Sequence, residues 1–331
     1  MNIKSPIKII GLGKYLPKEV LSNDLEKNNN IPLGWSEKNS GVKKRHWIEL
    51  ETVGQMGAKA AQAALDDAQI DIKEIDLLVS ASTSFDFIIP NQSSVIKNQI
   101  KNANNYNFST IDINTTCLSF LSAFDYVSNI INDHDKRKIL IVSSEISSKN
   151  LNDDNWETFS LFGDGAAAVV VEYNNDGESY MLKSGHKTYS SSVELTKIEG
   201  GGAKKPFKDF PYDKELHSFK MKGKNLLKLA NKELPKFLDW FFEDLDYNIH
   251  NVDKIIPHQA SKLGLFMFKK MYSLEDSSVM ETLHKYGNCI AASLPLTFMD
   301  AVENNQIKRG DICLFTGTSA GFSIGSLLIK Y

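Results

Sequence analysis

The sequence predicts an α/β fold assembled from two similar halves. Strands and helices alternate along the 331 residues. Several strands are continuous apolar runs of the kind buried on both faces. Three segments of the first half are echoed in the second: Glu74–Ser82 by Asn251–Gln259, Lys136–Val142 by Lys308–Leu314, and Asp164–Val171 by Ala320–Leu328. In each pair a strand falls at the corresponding place, which points to an internal duplication. Chance likeness is the alternative, because buried strands share a small apolar alphabet. The halves are placed at 1–175 and 176–331, packed as one globular unit.

Taken in order, Ile7–Gly11 reads as a first strand and Ser22–Asn29 as a short capped helix. Thr52–Gln69 is helical, with Val53, Met56, Ala60, Ala64 and Leu65 on one face. Leu77–Ala81 is an apolar strand and Ser93–Ile100 a helix. Ser109–Ile113 is a strand leading into a helix that carries Leu121, Phe124, Ser128 and Ile131 at helical spacing. Lys138–Ser143 and Ala166–Val171 are buried strands. From Tyr189 to Ser218 the chain is polar and rich in Gly and Ser, and Gly200-Gly-Gly202 and Pro206 disfavour a regular element. A lid and a plain connector both suit so long a loop. A helical pattern follows over about Gly223 to Glu243.

Composition sets bounds. With 42% hydrophobic and 24% charged residues the make-up is that of an ordinary globular protein. A net charge of −3 argues against a general nucleic-acid binder. No stretch approaches the roughly 18 apolar residues of a membrane span. The Met1–Ile10 segment is too short and too interrupted for a signal peptide. The three cysteines, Cys117, Cys289 and Cys313, have no short paired spacing; they suit a reducing cytoplasm and imply no metal site.

Cys117 falls where a β-branched stretch gives way to a helix, so its sulfur lies at or near a helix N-terminus. Free N–H groups and the macrodipole there favour an anion and lower a thiol pKa, which makes a nucleophile. A buried structural cysteine is the other reading. His258, in Ile255-Ile-Pro-His258, stands just past an apolar strand, at the edge where α/β folds gather their sites; a hydrogen-bonded structural histidine would also suit. Asn288, after Gly287, is either a turn residue or cap, or an unchargeable donor for a carbonyl oxygen. Phe162-Gly-Asp-Gly165 and Thr316-Gly-Thr-Ser-Ala-Gly321 let backbone approach other groups closely, and neither matches a phosphate-cradling loop. Cys289 and Cys313 read as packing residues.

Cys117, Phe162-Gly-Asp-Gly165, His258-Gln-Ala260 and Tyr286-Gly-Asn288 with Ala291-Ala-Ser293 occur in this order and at these separations. Together with Gly11–Pro17 and Ser40–His46 they resemble the β-ketoacyl-acyl carrier protein synthase III family of the thiolase superfamily, nearly end to end. The resemblance implies a duplicated, thiolase-like five-layer αβαβα sandwich, usually dimeric. It implies that Cys117 carries an acyl group taken from a thioester. His258 and Asn288 then hold a malonyl thioester during decarboxylative Claisen condensation. It further implies an oxyanion hole of the Cys117 and Ala320 N–H groups, an acyl pocket lined by Phe162, and substrate contacts at Trp35, Ser319 and Gly321. Substrates would be acyl-coenzyme A or acyl-carrier-protein thioesters, with no permanently bound cofactor. Partners would be an acyl carrier protein and a second copy of the chain.

The sequence departs from the best-known members in ways that bear on the donor. Trp35 matches a tryptophan that stacks on the adenine of coenzyme A, but Asn39 and Trp156 stand where arginines are usual. Losing two guanidinium groups weakens phosphate and adenine recognition. An acyl group delivered on a carrier protein, or an unusual coenzyme A thioester, follows, and with it a specialised fatty-acid or polyketide-type pathway. Lys222, Lys224, Lys262, Lys269 and Lys270 form a candidate rim for an acidic carrier; solvated surface lysines are the alternative. Two rival functions use the same scaffold: an acyltransferase forming an ester or amide, and a non-catalytic partner subunit of a synthase complex.

Overall fold

The structure, a computed structural model, describes residues 5–174 and 176–331. Residues 1–4, read above as part of the opening segment, and Asn175, where the halves were divided, lie outside the described residues.

Two sheets organise the chain. The first has the order Ile7–Tyr15, Gly165–Tyr173, Lys138–Glu145, Leu77–Ser80, Ser109–Asp112. Its Gly165–Tyr173 strand is antiparallel to both neighbours, and Leu77–Ser80 is parallel to both of its own. The second has the order Tyr180–Thr188, Ser323–Lys330, Ile312–Ser319, Lys254–Pro257. Here too the second strand is antiparallel to both neighbours, and the last pairs in parallel. A single parallel bridge, Ile255 with Val279, stands where the first sheet has its fifth strand. All three sequence echoes fall on strands in equivalent places.

The sheets are apolar throughout because both faces are covered. In Lys138–Glu145, Ile139 and Ile141 face one core while Leu140 and Val142 face another. In the second sheet Cys313 and Phe315 enter the first of these cores, and Ile312 and Leu314 a third. Alternate side chains of a strand point to opposite faces, so period-two burial in two cores requires a continuous hydrophobic run. The shared central core also holds the helices Ser119–Ile130 and Ser293–Glu303 through Leu121, Phe124, Leu294 and Phe298. Val53–Ala68 covers the outer face of the first sheet, and Gly223–Phe242 that of the second. The result is the five-layer αβαβα sandwich the sequence predicts.

Val53–Ala68 starts where Thr52 and Gln55 form a reciprocal capping box. Gly13 lies against it so closely that a Cβ would meet Ala60 O at 2.2 Å. Elements that escaped the sequence reading include the strand Tyr180–Thr188, the hairpin Lys18–Leu21 with Lys44–Trp47, and the helix Lys262–Tyr272. The polar 189–218 region is mostly irregular, with a 3-10 turn at Ser190–Leu195 and two residues, Thr196–Lys197, paired to Lys220–Met221.

Candidate active site

Cys117 lies on a single 3-10 turn, Thr116–Leu118, and the α-helix proper begins at Ser119. Thr116 has φ +55°, a conformation a β-branched residue adopts only under constraint. The constraint is local. Asn114 Oδ1 accepts the Thr116 N–H at 2.9 Å, and Ser119 Oγ accepts the Thr115 N–H at 3.0 Å. The same construction recurs before the second central helix. Ile290 has φ +50°, Asn288 Oδ1 accepts its N–H at 2.9 Å, and Ser293 Oγ accepts the Cys289 N–H at 2.8 Å. Asn114–Ser119 and Asn288–Ser293 are thus one loop used twice, with Cys117 and Ala291 in equivalent places. The sequence signal, Asn and Ser five residues apart, was present but only two identities long.

The second loop is anchored further. Phe162 and Asn288 form a parallel bridge, with Asn288 N–H donating to Leu161 O at 2.9 Å and Gly163 N–H to Asn288 O at 3.1 Å. A Cβ on Gly163 would sit 2.1 Å from Tyr286 O, so this contact requires glycine. Asp164 fixes the turn from beneath, accepting the N–H groups of Ile48, Ser147 and Ser148. Because Ile290 holds the Asn288 oxygen inward, the carboxamide Nδ2 is the end left for a substrate.

His258 continues its strand, donating its N–H to Thr316 O at 2.8 Å. Gly317 makes room for it, since a Cβ there would lie 2.5 Å from His258 Cβ. Gln259 locks the chain reversal: its Nε2 donates to Pro257 O and Met280 O, and its Oε1 accepts from Thr282 and Leu283. His258 Nδ1 is buried without a partner. Burial lowers the imidazole to about 4, so it is neutral at physiological pH.

Cys117, His258 and Asn288 line one cavity of about 820 Å³, which Trp35, Phe162, Ser319, Ala320 and Gly321 also line. Every predicted substrate contact therefore reaches the same space. The Ala320 and Cys117 backbone N–H groups act to lower the Cys117 thiol pKa. One expectation is overturned. Burial pushes the thiol up to about 12, and the field of Glu145 adds to this, outweighing the two N–H groups. The helix start does not lower the thiol, because the α-helix begins two residues later and desolvation dominates.

The cavity wall is apolar. Phe162 meets Phe219 edge-on at 4.8 Å, and Leu161, Met221 and Ile290 pack with them. Val193 and Ile198 of the polar region line the cavity too, which makes that region a wall. At the mouth Trp35 meets Trp156 edge-on at 6.0 Å, and Asn39 donates from its side chain to Trp35 O. Of the five lysines only Lys224 lines the cavity. Lys222 is exposed one residue before Gly223, and Lys262 is exposed with its ammonium on Glu37 O and Lys38 O at 3.3 Å. Lys270 is exposed. Lys269 is paired with both Asp276 and Glu281 at 2.7 Å, so its charge is already engaged. Cys289 and Cys313 are buried, as expected of packing residues. Among the described residues no group of His, Cys, Asp and Glu could hold a metal, and no helix is long and apolar enough to cross a membrane. The sequence reading missed Thr83 and Glu145; the available signal was a carboxylate ending an otherwise apolar strand.

The family model for 3-oxoacyl-[acyl-carrier-protein (ACP)] synthase III matches residues 111–190, and the model for the C terminal of that enzyme matches residues 242–331. A beta-ketoacyl-[acyl-carrier-protein] synthase III of Vesicomyosocius okutanii is 33% identical over 326 residues, covering 98% of each chain. One of Aquifex aeolicus is 30% identical over 325 residues, covering 98% of this chain and 99% of the relative. The crystal structure of 3-oxoacyl-[acyl-carrier-protein] synthase III from Aquifex aeolicus superposes with a TM-score of 0.88 at 28% identity, covering 98% of this chain and all of the other. With likeness of this extent on top of the shared fold, the chain belongs to the beta-ketoacyl-[acyl-carrier-protein] synthase III family.

Proposed function

We propose that this protein transfers an acyl group from a thioester to Cys117 and then condenses it with a malonyl thioester. The observation that carries the reading is the meeting of Cys117, His258 and Asn288 in one apolar cavity, with Ala320 lining it too. In the first step the Cys117 sulfur attacks the acyl carbonyl, the donor's sulfur leaves, and the thiol proton goes with it. The Cys117 and Ala320 N–H groups receive the transient oxyanion. In the second step the malonyl carbon–carboxylate bond breaks, carbon dioxide departs, and its electron pair becomes an enolate at the thioester oxygen. Asn288 Nδ2 and His258 stabilise that oxygen as neutral donors, the arrangement that works best where charge develops out of water. The enolate carbon attacks the Cys117 thioester, and the tetrahedral adduct expels the cysteine sulfur.

The acyl group and malonyl unit come on an acyl carrier protein or on coenzyme A; no permanently bound cofactor takes part. Carrier delivery is favoured by the mouth of the cavity. Trp156 and Asn39 present no positive charge beside Trp35, whereas Lys222, Lys224 and Lys262 ring the same side. A specialised pathway follows from these departures. The chain works as a homodimer whose two halves, 1–175 and 176–331, form one unit. Edge strand Ser109–Asp112 ends its sheet, and Phe85, Phe87, Ile88 and Ile89 nearby are between 57% and 86% exposed, a run of apolar side chains suited to an interface. Three unpaired cysteines suit a cytoplasmic protein. A carboxamide held ready for an enolate distinguishes condensation from acyl transfer to an alcohol or amine, which needs a base instead.

The test is carbon dioxide release from malonyl thioester by acylated protein, with a β-ketoacyl thioester as product. Ester or amide formation without carbon dioxide would overturn the reading.

A further inference from the structure

The short helix Trp35–Asn39 sets Trp35 on the cavity, yet it has little of its own to hold it there. Five residues are too few for a helix to stand alone in water. Its N-cap is Gly34, which has no side chain to accept the unpaired N–H groups of the first turn. Gly34 has φ +80°, and a Cβ there would meet nothing, so conformation rather than crowding selects glycine at this position.

The missing cap comes from another helix. Glu26, on Ser22–Asn28, is without exposure. One of its carboxyl oxygens accepts the Gly34 N–H and the other the Ser36 N–H, each at 2.7 Å. The two bonds grip the chain on either side of Trp35. The Glu26 backbone carbonyl also accepts the Ile31 N–H at 2.9 Å, so one residue pins both ends of the segment that leads to the tryptophan. Backbone N–H groups given to a carboxylate at a helix start make charge-assisted bonds, stronger than those to a neutral acceptor.

The far end of the helix is tied to the cavity wall. Ser40 Oγ donates to Ser36 O at 2.7 Å and to Ser160 O at 3.2 Å, and the buried Arg45 donates to Ser160 O at 2.8 Å. Ser160 runs directly into Leu161 and Phe162, which line the cavity. Beneath, Leu25 and Ile31 share an apolar cluster with Trp35 and Trp156. Glu26 itself does not line the cavity. It meets the site only through the backbone that carries Trp35.

We propose that Glu26 is a positioning residue for the thioester donor: by capping Trp35–Asn39 from outside, it fixes Trp35 at the mouth, where the part of the donor remote from the thioester is received. The inference rests on the roles given above to Cys117 as acyl acceptor and to Trp35 as a substrate contact. Glu26 governs how tightly the donor is held and leaves the chemistry at Cys117 alone.

The test uses Glu26→Gln, which keeps one acceptor oxygen, and Glu26→Met, which fills similar space and accepts nothing. The rate of Cys117 acylation is followed by intact mass against donor concentration. The donors are acetyl- or hexanoyl-coenzyme A, whichever labels the wild type, and the same acyl group on N-acetylcysteamine, which lacks the remote part of the donor. With the coenzyme A donor the half-saturating concentration should rise about 10-fold in Glu26→Gln and further in Glu26→Met, while the maximal rate stays within about 2-fold. With the truncated donor the second-order rate constant should stay within about 2-fold of wild type. In a Trp35→Ala background, which itself raises the half-saturating concentration, adding Glu26→Gln should raise it no further, because the cap then holds nothing that touches the donor. An unchanged half-saturating concentration, an equal loss with both donors, an additive effect in the Trp35→Ala background, or failure of both Glu26 variants to fold would overturn the inference. A wild-type protein that takes no acyl group at Cys117, or a Trp35→Ala variant that holds the donor as wild type does, overturns the reading of the site itself, an outcome separable from the others.

Discussion

The loops Asn114–Ser119 and Asn288–Ser293 share their backbone path, their serine and asparagine bonds, and a cavity-lining residue of positive φ, Thr116 or Ile290. They differ in burial. Asn114 and Thr115 are exposed, whereas Asn288 and Cys289 are buried. They also differ in which residue does chemistry. In the first, the strained turn places Cys117, the proposed nucleophile, on the cavity, and Asn114 only braces it. In the second, the equivalent of the cysteine is Ala291 and the bracing asparagine itself reaches the cavity. One device, a tight turn held by Asn and Ser at the head of a central helix, thus serves, in the proposed reaction, both a nucleophile and a hydrogen-bond donor. What distinguishes the copies is how deeply each is buried and which side chain is left free.

Asn288→Ala offers the strongest way to break this comparison. Carbon dioxide release should fall about 10²–10³-fold, the usual cost of one oxyanion donor, while acylation of Cys117 continues. Equal loss of both half-reactions would mean that the carboxamide only braces, as Asn114 does.

His258 sharpens the comparison by acidity. Its folded-state pKa, lowered by burial to about 4, lies below the 6.5 of an unfolded histidine. Between those values the unfolded chain takes up a proton that the folded chain refuses, so acidification from pH 6.5 towards 4 destabilises the protein by up to about 3 kcal/mol through this group. Urea unfolding at both pH values should show His258→Asn losing that much less than wild type. Identical losses would remove the buried neutral imidazole from the account.

The paired serines test burial directly. Ser293→Ala leaves the buried Cys289 N–H without an acceptor and should cost about 1–3 kcal/mol, against under about 1 kcal/mol for Ser119→Ala, whose partner amide can reach water. At the smallest scale, Thr116→Gly removes backbone strain and should raise the melting temperature by about 2 °C. Ile290→Gly should not, because Ile290 also packs beside Phe162. A rise in both would mean that the two turns are strained alike and packed alike.

Much of this was legible in the chain, for identifiable reasons. Lys138–Glu145 and Gly165–Tyr173 feed two cores at once and must be continuously apolar, so they announce themselves. Val53–Ala68 carries both a helical stripe and a capping box. Tyr180–Thr188 does not read as a strand because it lies at a sheet edge, is broken by a bulge, and contains Gly185, which admits Trp240; a Cβ there would sit 2.9 Å from that ring. The second sheet's counterpart of Ser109–Asp112 could not be read because it has shrunk to the bridge at Val279. Cys117, His258 and Asn288 stood out through their motifs. The state of the thiol did not, since it depends on burial by residues distant in sequence, with the field of Glu145 adding to it. Glu145 itself is one acidic letter at the end of a strand; only the fold reveals that Thr83 and Ser84 converge on it.

The convergence of nucleophile and carboxamide on one thioester is tested most directly by intact-mass measurement of the protein after exposure to acyl thioesters. The wild type should gain one acyl group, mapped to Cys117, and Asn288→Ala should gain it too, while Cys117→Ala gains none. An acyl group that persists in Cys117→Ala, or that maps to another residue, would contradict the account.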